Sequence, residues 1–132
     1  MAILAQDAGA RVFGFAQAAT ALQYAGFKPF GLNTWVGGLV GIVGRELRYD
    51  TSLLLRADID FCLQSLAFDR FVLVDSRYSF FHTRFGGKGG NNLQRSSERH
   101  AQEIAYLCRK WKGFIQAVEE KGTVRMVIKV RR

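Results

Sequence analysis

A chain of 132 residues with 48% hydrophobic and 23% charged content has room for one domain with a real core, which excludes a disordered or low-complexity protein. No apolar run reaches about 18 residues, which excludes a helical membrane span at the level of sequence. The net charge of +8 is uneven: residues 1–75 carry 6 Lys/Arg against 7 Asp/Glu (−1), whereas residues 76–132 carry 13 against 4 (+9).

The opening "MAILAQDAGARVFGF" has no polar lead-in and starts as the tail of a helix followed by a strand. We therefore expect 1–132 to be a single domain that forms the C-terminal part of a larger protein. Ala2 to Ala8 reads as a helix end with Gly9 near its stop, and Arg11 to Ala16 as a short strand. The next stretch, "ALQYAGFKPFGLNTW", is marked as a loop by Gly26, Pro29 and Gly31. It carries Tyr24, Phe27, Phe30 and Trp35, which serve either as core plugs or as the lining of a groove. "WVGGLVGIVG" (Trp35 to Gly44) is a glycine-interrupted apolar strand, a pattern that marks close approach of another backbone or a ligand.

Asp58 to Ala67 is expected to be a helix, with Ile59, Cys62, Leu63 and Leu66 at i, i+3, i+4, i+7 spacing. "RFVLVD" (Arg70 to Asp75) and "YSFFH" (Tyr78 to His82) read as two strands separated by a two-residue break. A glycine-rich loop from Thr83 to Gln94 follows. Ser96 or Ser97 then caps a helix expected to run to about Glu120, with an apolar stripe of Ala101, Ile104, Ala105, Cys108, Trp111, Ile115 and Val118. The closing "TVRMVIKVRR" is a strand with Val124, Met126, Ile128 and Val130 on one side and Arg125, Lys129 and Arg131 on the other. The whole order predicts an α/β fold, a mixed sheet with flanking helices. Cys62 and Cys108, each in an apolar helical setting without a secretory signal, read as reduced thiols of a cytoplasmic protein.

Several segments carry chemistry. "FGGKGGNN" (Phe85 to Asn92) does not fit G-x-x-x-x-G-K-[ST], because Lys88 lies between glycine pairs with no Ser or Thr behind it. A glycine loop with Lys88, flanked by Arg84 and Arg95, can still close over a diphosphate; the plainer reading is a surface turn. His82 ends an apolar strand, where α/β folds open into clefts, and is a candidate metal or phosphate ligand. His100 reads as a surface residue. No cysteine and histidine cluster has zinc spacing, and no serine sits in a nucleophile elbow. "RADIDFCLQ" places Asp58 and Asp60 one residue apart. Asp58 is a good helix N-cap, and Asp60 then falls on a different side, so the two would not share a metal. The basic second half suits an anionic partner, a nucleotide phosphate or a nucleic-acid backbone, or serves solubility alone.

The order of "KPFGLNTWVGGLVGI", "RADIDFCLQSL", "DSRYSFFH", "GGNNLQR" and "CRKWKGFI", spanning about residues 11–118, resembles the acceptor-side half of a GT-A glycosyltransferase. In finer pattern it is similar to the TET-associated glycosyltransferase family, sugar transferases linked to phage DNA with hydroxymethylated or oxidised pyrimidines. The resemblance implies a transferase that moves a sugar from a nucleotide-sugar to a hydroxylated acceptor, with a divalent metal (Mn or Mg) as cofactor. Carried over to this chain, it makes Asp58 the acceptor-side carboxylate and Asp60 the acid that follows it. His82 becomes the metal-side histidine, and Lys88, Gly89, Gly90 and Arg95 the diphosphate segment. The basic strand with Arg125, Lys129 and Arg131 would rest on DNA phosphates. Two departures stand out: Ala57 occupies a position where the family commonly has glutamate, and the nucleotide-sugar half with its D-x-D lies outside this sequence. The alternative is a non-catalytic, basic nucleic-acid-binding module derived from a transferase half.

Overall fold

The computed structural model describes residues 1–18, 28–32, 34, 36–81, 96–120 and 123–129. Helix α1 (Ala2–Asp7) ends in a turn in which Gly9 adopts φ +73°, the left-handed conformation that glycine takes without penalty. Strand β1 (Val12–Ala18) follows, then the short strands β2 (Phe30–Gly31) and β3 (Val40–Ile42). Helix α2 (Ala57–Phe68) leads into the long strand β4 (Leu73–Phe81), and helix α3 (Ser97–Lys110) into β5 (Ile115–Glu120) and β6 (Thr123–Ile128).

The main sheet has the order β2-β4-β1-β3. Its two central strands, β1 and β4, run parallel, and both edges, β3 on β1 and β2 on β4, are antiparallel. Among the described residues the fold is therefore α/β with a mixed four-stranded sheet and three helices, as the sequence pattern predicts. Parallel pairing of β1 with β4 requires a crossover, and α2 lies on it. The pair β5 and β6 forms a separate antiparallel hairpin.

α2 is the centre of the core. Ile59, Phe61, Cys62, Leu63 and Leu66 are all buried, and they pack with Val12, Val36, Val72, Val74, Ile104, Leu107, Ile115 and Met126 into one cluster. A helix buried on so many sides shows little amphipathic contrast, which is why its sequence reads as apolar almost throughout. Cys62 anchors the segment before β3: its sulfur accepts from the Val36 N–H at 3.2 Å and its S–H donates to the Val36 carbonyl at 3.6 Å. Burial pushes this thiol up to about 12, so it is a packing residue and not a nucleophile. On β1, Gly14 leaves room for the same segment, since a first side-chain carbon there would stand 2.7 Å from the Leu39 carbonyl oxygen.

Three sequence expectations are corrected. The helix expected to reach about Glu120 ends at Lys110, and 115–120 is a strand. Lys112 and Gly113 interrupt the helical run, and Gly113 takes φ +91°, a conformation that ends helices. Along α3, Ala101 and Ala105 are exposed, while Glu103 and Leu107 are buried. The face is rotated because the Glu103 carboxylate turns inward to accept the backbone N–H groups of Leu54 and Leu55 at 3.0–3.3 Å. Finally, the two strands expected at 70–75 and 78–82 form one strand, β4, whose break survives as an irregularity. Phe15 pairs with Asp75 and the next residue, Ala16, with Ser79, so Ser76, Arg77 and Tyr78 have no opposite number on β1.

Two outcomes follow from this packing. In the folded protein Cys62 should resist a soluble maleimide at neutral pH and react only at the rate of unfolding; fast labelling of that thiol would contradict the packing around Val36. Arg70 follows the α2 C-cap with φ 70°, a left-handed conformation in which an L side chain is disfavoured. Arg70→Gly is therefore expected to raise stability by up to about 1 kcal/mol in urea unfolding, whereas the same change within α2 would lower it.

Candidate functional site

Asp58 and Asp60 are two residues apart on α2, a rotation of about 200° around the helix, and the structure sends them in different directions. Asp60 has no solvent exposure. Its Oδ1 accepts the Trp111 indole N–H at 2.7 Å and lies 2.8 Å from the Lys110 ammonium, and its Oδ2 accepts the Gln64 amide at 2.9 Å. Lys110 also reaches Asp50 Oδ2 at 2.7 Å, an oxygen that accepts the Tyr106 hydroxyl at 2.8 Å. Asp50, Asp60, Lys110, Tyr106, Trp111 and Gln64 thus form one satisfied network between α2, the segment before it and the end of α3. A carboxylate enclosed in this way organises the interior.

The Asp58 carboxylate is half-buried and points to the sheet. Asp58 is not the N-cap expected from the sequence: the helix starts at Ala57 after Arg56, without a side-chain cap bond, and Asp58 Oδ1 accepts the N–H of the next residue, Ile59, at 2.9 Å. Its Oδ2 lies against Gly37: a first side-chain carbon at position 37 would stand 3.0 Å from that oxygen and 3.6 Å from Gln17 Oε1. Gln17 belongs to the last turns of pleat of β1, opposite Phe80 of β4, and Phe80 in turn lies beneath Gly38. Asp58, Gln17, Phe80 and the Gly37–Gly38 backbone therefore gather at the C-terminal ends of the two parallel strands, the edge where α/β sheets place their ligand clefts. The glycines belong to the run whose close-approach pattern was visible in the sequence.

Around this point lie Tyr49 and Arg56. The Tyr49 ring stacks on Phe61 with centroids 4.6 Å apart. Partial burial and the negative charge of Asp58 raise its phenol above the ordinary tyrosine value. Burial draws the Arg56 guanidinium down, opposed by the charges of Asp58 and Glu103, and its Nη2 contacts Nε2 of His100. His100, read from sequence as a surface residue, is exposed but reaches the N-terminus of α2. Gln17 and Tyr49 carried no signal in the sequence, being one polar and one aromatic residue in unremarkable settings. Arg56 was written in the same motif as Asp58.

His82, Lys88, Gly89, Gly90, Arg95 and Arg131 lie outside the described residues. Position 82 directly follows Phe81, the last residue of β4. Arg125 lies within β6, paired with Val118, and Lys129 is exposed just beyond that strand. Trp35 and the aromatics Tyr24 and Phe27 also fall outside the described residues; Phe30 forms β2. Among the described residues, no three His, Cys, Asp or Glu side chains are grouped to hold a metal, and no helix is long and apolar enough to cross a membrane. The chain matches none of the protein-family models, curated proteins or solved structures with which it was compared.

The network at Asp50 has a pH signature. Hydrogen bonds from Lys110, Tyr106 and the Ser52 N–H hold the Asp50 carboxyl well below its ordinary 3.8. Partial burial draws Lys110 down, but its bonds to Asp50 and Asp60 more than offset this and leave it above the ordinary lysine value. A depressed carboxyl binds its proton more readily in the unfolded chain, so the stabilisation is complete above about pH 5 and fades as pH falls through and below the unfolded value. In urea unfolding, Asp50→Asn should be less stable than the wild type near pH 7, and the gap should begin to narrow only as pH falls below about 4 and keep narrowing toward the strongly depressed folded value. Parallel stability curves for the two proteins would show that Asp50 is not tied into the network in solution.

Proposed function

We propose that this chain is the acceptor-side part of a glycosyltransferase that moves a sugar from a nucleotide-sugar to a hydroxylated acceptor, with hydroxymethylated pyrimidines in DNA as the acceptor class. The observation that supports it best is the placement of Asp58. A carboxylate in the first turn of a helix lies half-buried at the C-terminal edge of a parallel strand pair, closely approached by a glycine backbone. Two features give it the reach of a base or an acceptor anchor. It stands in the first turn of α2, and its Oδ2 lies close against the Gly37 backbone, where a side-chain carbon would stand 3.0 Å away. Gln17 supplies a second hydrogen-bonding group at the same edge, suited to orienting a hydroxyl.

In this reading Asp58 accepts, or holds oriented, the proton of the attacking hydroxyl. Arg56 keeps a cation close to the carboxylate, whose charge it feels. Asp60 contributes by fixing α2, and so the aim of Asp58, through its bonds to Lys110 and Trp111. The divalent metal and the nucleotide-sugar donor belong to the reading through His82, Lys88, Gly89, Gly90 and Arg95. When bound, the metal would offset charge on the departing diphosphate. No step is assigned to it on the described residues. The acceptor's carriage on DNA draws its support from the +9 carried by residues 76–132 and from the exposed Lys129.

The test separates the two carboxylates. In the full-length protein, with a labelled nucleotide-sugar donor and hydroxymethylated DNA as acceptor, Asp58→Asn should slow transfer by about 100-fold or more while leaving the unfolding midpoint nearly unchanged. Asp60→Asn should instead lower the midpoint. Turnover unaffected by Asp58→Asn would remove the proposed base.

A further inference from the structure

β4 departs from its partner at one place, and what it presents there is unlike the rest of the sheet. The unmatched residues Ser76, Arg77 and Tyr78 are held in a defined shape: the Ser76 N–H donates to the Pro29 carbonyl at 2.9 Å. The buried Asp75 grips Arg77 in a two-pronged pair, Nε to Oδ1 at 3.0 Å and Nη2 to Oδ2 at 2.8 Å. That grip fixes the plane of the guanidinium from its edge while the side chain stays 53% exposed. The Arg77 carbon lies 5.0 Å from the centre of the Phe30 ring and 6.0 Å from that of Tyr78. Tyr78 is braced edge-on by Phe15 at 6.4 Å, yet it is 63% exposed, and Phe30 is 39% exposed.

Exposed aromatics with a pre-set guanidinium plane are not what a solvated strand needs. Burying Tyr78 or replacing it with a polar residue would satisfy the fold alone. We propose that Phe30, Arg77 and Tyr78 form a stacking platform for an unpaired base of single-stranded nucleic acid. Every base has a π-face, so such a surface binds without reading sequence, and arginine adds a cation–π component. The charge agrees with this occupant: the chain carries +8, and the exposed Lys28 stands one residue before Pro29, beside the bulge, where it can meet a backbone phosphate. Asp75 offsets the Arg77 charge locally, so Arg77 contributes a planar face more than a phosphate contact. The platform stands apart from sugar transfer and does not require it.

The probe is a fluorescein-labelled thymidine oligomer of about a dozen nucleotides, followed by anisotropy across a salt series. The double variant Phe30→Ala/Tyr78→Ala should lose about tenfold or more in affinity at fixed salt while the dependence of log affinity on log salt keeps its slope, because stacking releases no counterions. Arg77→Lys, which keeps the charge and loses the plane, should weaken binding in the same way. Lys28→Glu should instead flatten the salt dependence. Protection of Cys62 from maleimide confirms that each variant is folded. Wild-type protein that does not bind the oligomer, or folded platform variants that bind as tightly as wild type, would overturn the proposal. Asp58→Asn is expected to bind the oligomer normally, so failure of the transferase reading and failure of the platform give different results.

Discussion

Burying the Asp60 carboxylate in the first turn of the most enclosed helix obliges its surroundings to supply donors, and two of them come from far along the chain. Lys110 and Trp111 are about fifty residues away and sit where α3 ends, and Gln64 lies one turn along α2. An ionised group out of water is tolerable only when it is paired and hydrogen-bonded, and removing one partner of a buried pair typically costs about 3–5 kcal/mol. The pairing therefore fixes the position of the α3 terminus against α2. Through Lys110 it also draws in Asp50 and Tyr106. Gln64, which bonds both Asp60 and the Arg48 carbonyl, ties the same network to the segment that precedes α2.

Holding α2 in this way determines what its first turn can present. Because successive helical residues are rotated by about 100°, an inward Asp60 leaves Asp58 facing a different quarter, toward the glycines beyond β1. Glu103 reinforces the arrangement from α3 by accepting the N–H groups of Leu54 and Leu55, just ahead of the helix. The two acidic residues that spell a D-x-D are thus divided between interior and edge. One is enclosed by its network, and the other lies half-buried against Gly37.

The sheet offers a second presentation of the same kind. A strand that paired regularly with β1 would alternate its side chains between the two faces. The three unmatched residues of β4 break that alternation and turn Arg77 and Tyr78 outward together. The buried Asp75 anchors the departure, and the pair it makes with Arg77 lowers the carboxyl below its ordinary value by hydrogen bonding before any effect of charge. Both presentations, Asp58 at the helix start and the aromatics at the bulge, belong to the neighbourhood of β1 and β4.

Local pattern was sufficient for much of this protein, because helix and strand periods and glycine positions act over a few residues. The helix around Asp58, the capping of α3 by Ser96, the strand after Gly9 and the mixed α/β class could all be read in the residues themselves. The divergence of Asp58 and Asp60 was also legible, since two residues cannot share a face of a helix. Three things were decided only by tertiary structure. Trp111 and Ile115 fit a helical stripe as well as they fit a helix end and a strand, and the turn at Gly113 with the pairing of β5 to β6 settled it. Glu103 would be assigned to solvent by its charge, and the backbone N–H groups of Leu54 and Leu55 that it accepts, with Arg99 beside it, make its burial favourable. The association of Asp58 with Gln17 and Gly37 joins residues distant in sequence, which no periodicity encodes; it exists because a parallel crossover brings the start of α2 to the ends of β1 and β4.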